Sequence, residues 1–475
     1  MNSHKKDLPA LTGLRFVAAF MVLIAHSASV LPTGSLPTFL IGLAPPGMAL
    51  FFVLSGFVIW LNYAQPIADG RRGALRDFVI ARFARLYPMY LVVLLLGLAI
   101  TSAVSGIGEV KKSFPQILYF ASFLDAWFPD YNGRLVVSVT YITHLWSIST
   151  EVFFYVVFPL IAVLLVKAKS LTTVTMIGFA NIVLAGVALY FVIEHSYEIM
   201  SIIAPRLSNI EGWYWLLYYS PYMRLFQFIS GCLACHLYLT LQYRSPTRLE
   251  TCRASLLACL AGIALLVMTV IGNFSDLTVY RMTCALLLQI IPLIALSFLM
   301  FFVSRYSSGL SHVLSLRPLV IGGEASYSIY LLHPFVLVGI EGTGRLLPSQ
   351  IVPQLAFLGV TALAVGLISH ATYRLIERPA KNWLRQRLRG WPRSDHQRLP
   401  TPMAGIQNRG WTAKLVSGGA ISRYIGQKLP QRSPLIRLLS FQMMAGPVAA
   451  VGLRARANLR ARERFGRARA GTAAR

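Results

Sequence analysis

Charge is what this sequence has least of, and acid least of all. Only 13% of its 475 residues are Asp, Glu, Lys or Arg, and the 17 acidic residues stand against 44 basic ones. A soluble domain carries about a quarter charged residues, so a water-exposed globular surface is excluded for most of the chain. Cysteine is scarce too. The five, Cys232, Cys235, Cys252, Cys259 and Cys284, fall in or beside apolar segments. Cys232 and Cys235 share a helix face, but no second His or Cys pair completes a zinc site, so buried small residues are expected and no metal. No A-x-A-type cleavage site follows the first apolar stretch, and further stretches come after it, which argues against a removable leader. No internal repeat stands out.

What is present is apolar length. Hydrophobic residues make up 56% of the chain. Runs near the ~20 residues that span a bilayer can be placed at about Leu8–Val30, Pro45–Trp60, Tyr87–Val104, Thr143–Val166 and Leu171–Ile193, then Tyr219–Leu241, Ser255–Ile271, Met282–Val303, Leu319–Ile340 and Ile351–Tyr373. The expected fold is an all-α, polytopic membrane protein of about ten transmembrane helices.

Orientation follows from Lys and Arg in the short connections. The N-terminus holds Lys5 and Lys6. Alternate connections carry Arg71, Arg72, Arg76, Arg82 and Arg85; Lys167 and Lys169; Arg244, Arg248 and Arg253; Arg305 and Arg317; then Arg374 and the tail. The other connections hold only Lys111, Lys112, Arg134, Arg206 and Arg345. Both termini are therefore expected in the cytoplasm.

Residues 1–388 read as the membrane domain and 389–475 as a basic tail, largely disordered or lying on the membrane surface. From Gly390 onward sixteen Lys and Arg meet two acidic residues. Beside a membrane domain such charge points to anionic lipid rather than nucleic acid.

A charged group inside a span is costly and marks function by default. The first span carries Arg15 and His26. Eleven residues at ~100° each bring them to within about 20° on one helix face, roughly 16 Å apart along the axis. With the N-terminus inside, Arg15 falls in the inner half and His26 in the outer half. In the fourth span His144, Ser147, Glu151 and Tyr155 form one polar stripe beside Trp146. The ninth leaves the cytoplasm with Glu324, Ser326, Tyr327 and Tyr330 and reaches His333. His26, Glu151 and His333 are thus expected at similar depth.

Arg82 and Arg85 share a face at the cytoplasmic start of the third span. Paired guanidiniums suit phosphate, and positive-inside anchoring explains them as well. Ser55-Gly56 in the second span suits close helix approach. In the outer loops Trp127, Tyr131, Trp213 and Trp215 either anchor at the interface or stack on a sugar, anchoring being the simpler role.

In this order the motifs LTGLRFVAAFMVLIAH, FFVLSGFVIW, RFARLYPMY, HLWSISTEVFFYVVFP, SYSIYLLHPF and the closing Glu377-Arg378-Pro379 resemble membrane acyltransferase family 3, the bacterial sugar O-acylating group that includes nodulation-factor and O-antigen acetylases. The likeness covers about Leu8 to Arg378. One departure is that Val152 and Phe153 follow Glu151 where family members usually have a second acidic residue or Gln.

The resemblance implies a multi-pass protein of the bacterial inner membrane that transfers an acyl group, usually acetyl, from cytoplasmic acyl-CoA to a hydroxyl of a cell-surface or lipid-linked glycan. His26 would be the general base or a transient acyl carrier, Arg15 its essential partner and Glu151 its orienting carboxylate. Arg15, Arg82 and Arg85 would meet the CoA phosphates or thioester from inside. The acceptor side would hold His144, Trp146, Ser147, Tyr330 and His333. No permanently bound cofactor is implied; acetyl-CoA is a substrate. After Arg389 neither an eleventh span nor a Gly-Asp-Ser signature appears, so the stand-alone type is expected rather than the branch with a periplasmic hydrolase-like domain. The rival reading is a transporter or flippase for a sugar-lipid, in which buried Glu and His relay protons, although the chain shows no inverted repeat.

Overall fold

The computed structural model describes residues 8–32, 35–106, 108, 114–131, 134–135, 142–207, 212, 215–271, 289–348 and 350–390. The tail beyond 390, Trp213 and the first part of the eighth apolar run lie outside them. The described residues fall within one compact unit, Met1–Asp395.

The described residues are helical apart from a minimal antiparallel ladder, Asp130–Tyr131 paired with Arg134–Leu135. The helices are α1 (Pro9–Ala28), α2 (Ser35–Ile41), α3 (Ala44–Ala68), α4 (Ala74–Ser105), α5 (Phe114–Ala121), α6 (Trp146–Leu165), α7 (Leu171–Ile203) and α8 (Pro221–Leu241). They continue with α9 (Arg248–Ile271), α10 (Ile291–Arg305), α11 (Gly309–Leu314), α12 (Arg317–Glu324), α13 (Ser326–Arg345), α14 (Ile351–Thr372) and α15 (Arg378–Gly390).

Among the described residues seven helical stretches are long and apolar enough to cross a membrane: Pro9–Ala28, Phe39–Ala68, Ala74–Ala103, Thr143–Leu165, Leu171–Ile203, Arg248–Val267 and Ile351–Leu388. The sixth and ninth apolar runs correspond to α8 and α13, which are of similar length but diluted by Arg224, Gln227 and His236 or by Ser326, Ser328 and His333.

Two boundaries differ from the sequence reading. α4 begins at Ala74, not near Tyr87, so Arg82 and Arg85 sit inside a helix of 32 residues rather than at its start. The ninth run is broken at Ala325 into α12 and α13. Hydropathy sees neither, because it registers apolar content and not backbone continuity.

α3 sits at the centre, packed against α1, α6, α8 and α10. In a bilayer, helix association rests on close packing rather than on escape from water. α3 and α8 meet through reciprocal glycines: a Cβ on Gly56 would overlap the Phe228 carbonyl, and one on Gly231 would overlap the Val53 carbonyl. The packing role read for Ser55-Gly56 is therefore met at Gly56. Around it Phe52 and Phe154 meet edge to face at 5.4 Å, and Phe154 stacks on Phe228 at 4.7 Å. This aromatic seam fixes α3, α6 and α8; polar residues of α3 and α6 build the site together with those of α1, α4 and α13.

Candidate active site

The expected outer cluster forms, with one exception. His26 Nδ1 lies 2.8 Å from His333 Nε2, and the two rings stack with centroids 5.0 Å apart. The protons can be assigned along this chain. His333 Nδ1–H donates to the Ile329 carbonyl at 3.2 Å. A neutral His333 then presents its Nε2 as an acceptor. His26 must donate through Nδ1–H, which leaves the Nε2 lone pair of His26 free. A second ring nitrogen fixed in this way is how a base is held in its working tautomer.

His26 lines a cavity of about 290 Å³ with His144, Trp146, Tyr218, Tyr219 and Tyr330. His144 donates Nε2–H to the Leu331 carbonyl at 3.2 Å, and its ring meets that of His333 edge-on at 6.1 Å. Replacing His333 by Phe removes the acceptor that holds His26. The expected result is a 10- to 100-fold lower activity, and partial recovery in His333→Gln, whose amide oxygen can take the same proton. Steady-state rates of the three proteins check it.

Glu151 is the exception. It lies with the arginines. Its Oε1 accepts from Ser55 Oγ at 3.0 Å and from Tyr155 OH at 2.5 Å. It lines a second cavity, of about 60 Å³, with Arg15, Arg82, Arg85, Ser147 and Tyr327. The expectation that Glu151 shares the depth of His26 and orients it is therefore not met; His333 holds that position. Among the described residues Glu151 forms no ion pair.

The second cavity is an arginine chamber. Arg82 reaches Tyr63 OH at 3.4 Å and lies over the rings of Tyr63 and Tyr155 at 5.2 and 5.8 Å, while its Nε is buried without a hydrogen-bond partner. Three guanidiniums thus face one carboxylate whose Oε1 already takes two hydroxyl protons. Such a surplus of buried N–H donors suits a multiply charged oxyanion.

The two cavities share Met48 and Tyr330. Tyr330 is pinned across the boundary: Ser147 Oγ donates to its hydroxyl at 2.6 Å, and the hydroxyl donates to the His144 carbonyl at 2.7 Å. Ser147 therefore belongs to the arginine side, while Trp146 and His144 belong to the histidine side. Of the two polar residues of α1, Arg15 lines one chamber and His26 the other.

Some contributors left little trace in the sequence. Tyr218 and Tyr219 enter the histidine cavity from a π-helical turn, Trp215–Tyr219, that has no periodic signature. Trp215 and Trp127, read as interface anchors, are instead structural. Trp215 is 2% exposed, and its indole N–H donates to the Ala126 carbonyl at 3.2 Å. The Trp127 indole donates to the Ser149 carbonyl at 3.1 Å.

Asp125, two residues before Trp127, is fully buried with neither oxygen hydrogen-bonded. The neighbouring Ser149 Oγ donates to the Phe123 carbonyl at 2.8 Å. Burial pushes the Asp125 carboxyl from its ordinary 3.8 up to about 8. The folded protein then holds a proton that the unfolded chain has lost, so stability is full below about pH 4 and falls as pH rises toward about 8. Asp125→Asn is expected to flatten that slope and to raise the melting temperature more at the alkaline end. Thermal unfolding in detergent across this range decides it, and an unchanged slope would refute it.

This is an all-α membrane protein whose central polar residues form a cationic chamber and a histidine chamber end to end. The chain belongs to the acyltransferase 3 family: the model of its acyltransferase domain matches residues 8–371. It is similar to O-acetyltransferase OatA of Staphylococcus aureus strain NCTC 8325, 24% identical over 384 residues, covering 79% of this chain and 57% of that protein. It is also similar to SACOL0978 of S. aureus strain COL, 26% identical over 390 residues, covering 79% and 59%. The chain thus spans under three fifths of the length of these relatives. No solved structure matches it.

Proposed function

We propose that the protein is an O-acetyltransferase of the bacterial inner membrane, with about ten spans and both termini cytoplasmic, that moves an acetyl group from cytoplasmic acetyl-CoA to a hydroxyl of a cell-surface or lipid-linked glycan. The observation that carries this reading is the pair of chambers joined at Met48 and Tyr330, one cationic and the other holding a free imidazole nitrogen. Arg15, Arg82 and Arg85 take the donor's phosphates. The acyl-bearing arm runs outward along α1, over the roughly 16 Å that separates Arg15 from His26.

At the outer end His26 Nε2 takes the proton of the acceptor hydroxyl. The hydroxyl oxygen bonds to the thioester carbon, the carbon–sulfur bond breaks, and the proton passes from His26 to the leaving thiolate. His333 holds the imidazole through this cycle. The aromatic walls Trp146, Tyr218 and Tyr219 suit the apolar faces of a sugar ring. Glu151 holds the hydroxyls of Ser55 and Tyr155 and offsets part of the charge of the arginine chamber. A transporter leaves the hydrogen-bonded wiring of His26 without a purpose, and the family match does not favour it.

Mass spectrometry of surface glycans from a strain lacking the gene tests the reading. A lost 42-dalton acetyl increment, restored by the wild-type gene and not by His26→Ala, is expected. Unchanged glycans in the deletion strain would overturn it.

A further inference from the structure

A second basic cluster adjoins the arginine chamber. After α14 a π-helical turn, Tyr373–Glu377, carries the helix on into α15, which packs against α4. Arg76 of α4 fastens it by donating from Nη2 to the Leu388 carbonyl at 3.0 Å. Glu377 in the turn is 5% exposed and accepts from Ser328 Oγ of α13 at 2.6 Å. Glu377 lies within electrostatic range of Arg85 and Lys381, and half-buried Lys381 within range of Arg85, Arg378 and Arg385. Arg85 also lines the arginine chamber. One side chain thus belongs to both features.

Half-buried Arg85 and Lys381 share a single buried carboxylate, with the exposed Arg378 and Arg385 at the edge of the cluster. Like charges gathered in a partly dehydrated place repel one another, and the arrangement is relieved by a bound anion. Helix geometry narrows the choice of anion. Arg378, Lys381 and Arg385 are three and four apart and share one face of α15, whereas Trp383 and Arg387 fall on roughly the opposite face. Trp383 is 59% exposed, with Arg387 lying over its ring at 5.8 Å. A Trp–Arg face of that kind meets a membrane surface. The Lys381 face is turned to Glu377 and Arg85, next to the chamber.

We propose that Lys381, with Arg85 and Arg378, forms a second phosphate site continuous with the arginine chamber, and that it takes the ribose 3′-phosphate at the nucleotide end of the acyl donor. The proposal rests on the donor reading above. It assigns α15 to donor recognition, with Glu377 as the buried anchor that positions Lys381 and Arg85.

Transfer kinetics in membrane vesicles, with acetyl-CoA, acetyl-dephospho-CoA (which lacks the 3′-phosphate) and acetyl-pantetheine as donors, test it. Lys381→Ala is expected to raise the KM for acetyl-CoA roughly tenfold, toward the acetyl-dephospho-CoA value, with kcat unchanged. The other two donors should be unaffected, and Lys381→Arg should keep most of the preference. An unchanged KM for acetyl-CoA, or an equal rise for all three donors, overturns the proposal. Vesicles of phosphatidylcholine with and without phosphatidylglycerol separate the other source of phosphate. An effect that vanishes without anionic lipid assigns the cluster to headgroups and overturns the proposal, whereas one that persists supports it. A wild-type protein that uses acetyl-CoA without preferring it over the dephospho form overturns this site alone; no transfer from acetyl-CoA overturns the donor reading as well.

Discussion

His26→Ala is expected to lower acetyl transfer by about 10²- to 10⁴-fold, the usual worth of a positioned general base, with assembly into the membrane intact. The side chain is half-buried and faces a cavity, and its one strong partner is His333. Deleting it therefore leaves a single acceptor nitrogen unserved rather than a collapsed core. His26→Gln sharpens the expectation. An amide can still donate to His333 Nε2, so the stacked arrangement survives, but it cannot carry a proton away from a hydroxyl. Equal inactivity of the two variants, with normal expression and normal thermal unfolding, assigns proton transfer to His26. Substantial activity in His26→Gln would reduce the residue to a spacer. Initial rates with labelled acetyl-CoA make the comparison.

Arg15→Ala should be nearly as severe and different in kind. Three guanidiniums line the chamber with one carboxylate, and in the proposed reaction each carries a share of the donor's charge. Removing one charge-assisted, poorly hydrated contact costs a few kcal/mol, so kcat/KM is expected to fall about a hundredfold, mainly through the KM for acetyl-CoA. Arg15→Lys keeps the charge and loses the planar fork, and should recover only part of the loss. An Arg15→Ala protein with an unchanged KM and a depressed kcat would instead place Arg15 at the reacting carbonyl. Saturation curves for the donor distinguish the two.

Much of this architecture was legible because a bilayer leaves a chain few options. Arg15 and His26 could be placed on one face from spacing alone, and α1 carries them as expected. The polar stripe of the fourth span was equally plain: Glu151 and Tyr155, four apart, share a hydrogen bond. Depth was harder. Counting residues from the outer end of a helix gives position along that helix, while the axial offset between helices is set by packing. α6 is pinned to α3 and α8 by the aromatic seam, and this places Glu151 opposite Ser55, in the cationic chamber rather than beside His26.

The outer wall shows a second limit. Tyr218 and Tyr219 work from a π-helical turn whose register no heptad or 3.6-residue pattern announces. Asp125 is one acid in an aromatic stretch, FASFLDAWF, and the composition gives no hint that it is fully buried. Trp127 and Trp215 look like interface anchors by residue type, yet their indole N–H groups are spent on the Ser149 and Ala126 carbonyls. Tryptophan serves both uses, and only its surroundings distinguish them. The C-terminal turn was visible as Glu377-Arg378-Pro379, but its proximity to Arg85 depends on α15 packing against α4.

The central claim is that one path along α1 joins a donor site on the cytoplasmic side to a base on the outer side. Inside-out membrane vesicles test it most directly, because labelled acetyl-CoA added outside reaches only the cytoplasmic face. The expected result is label on glycan enclosed in the vesicle lumen, absent with His26→Ala and unaffected by protease treatment of the outer medium. Label on acceptor exposed at the cytoplasmic face, or equal luminal labelling with His26→Ala, would contradict the account.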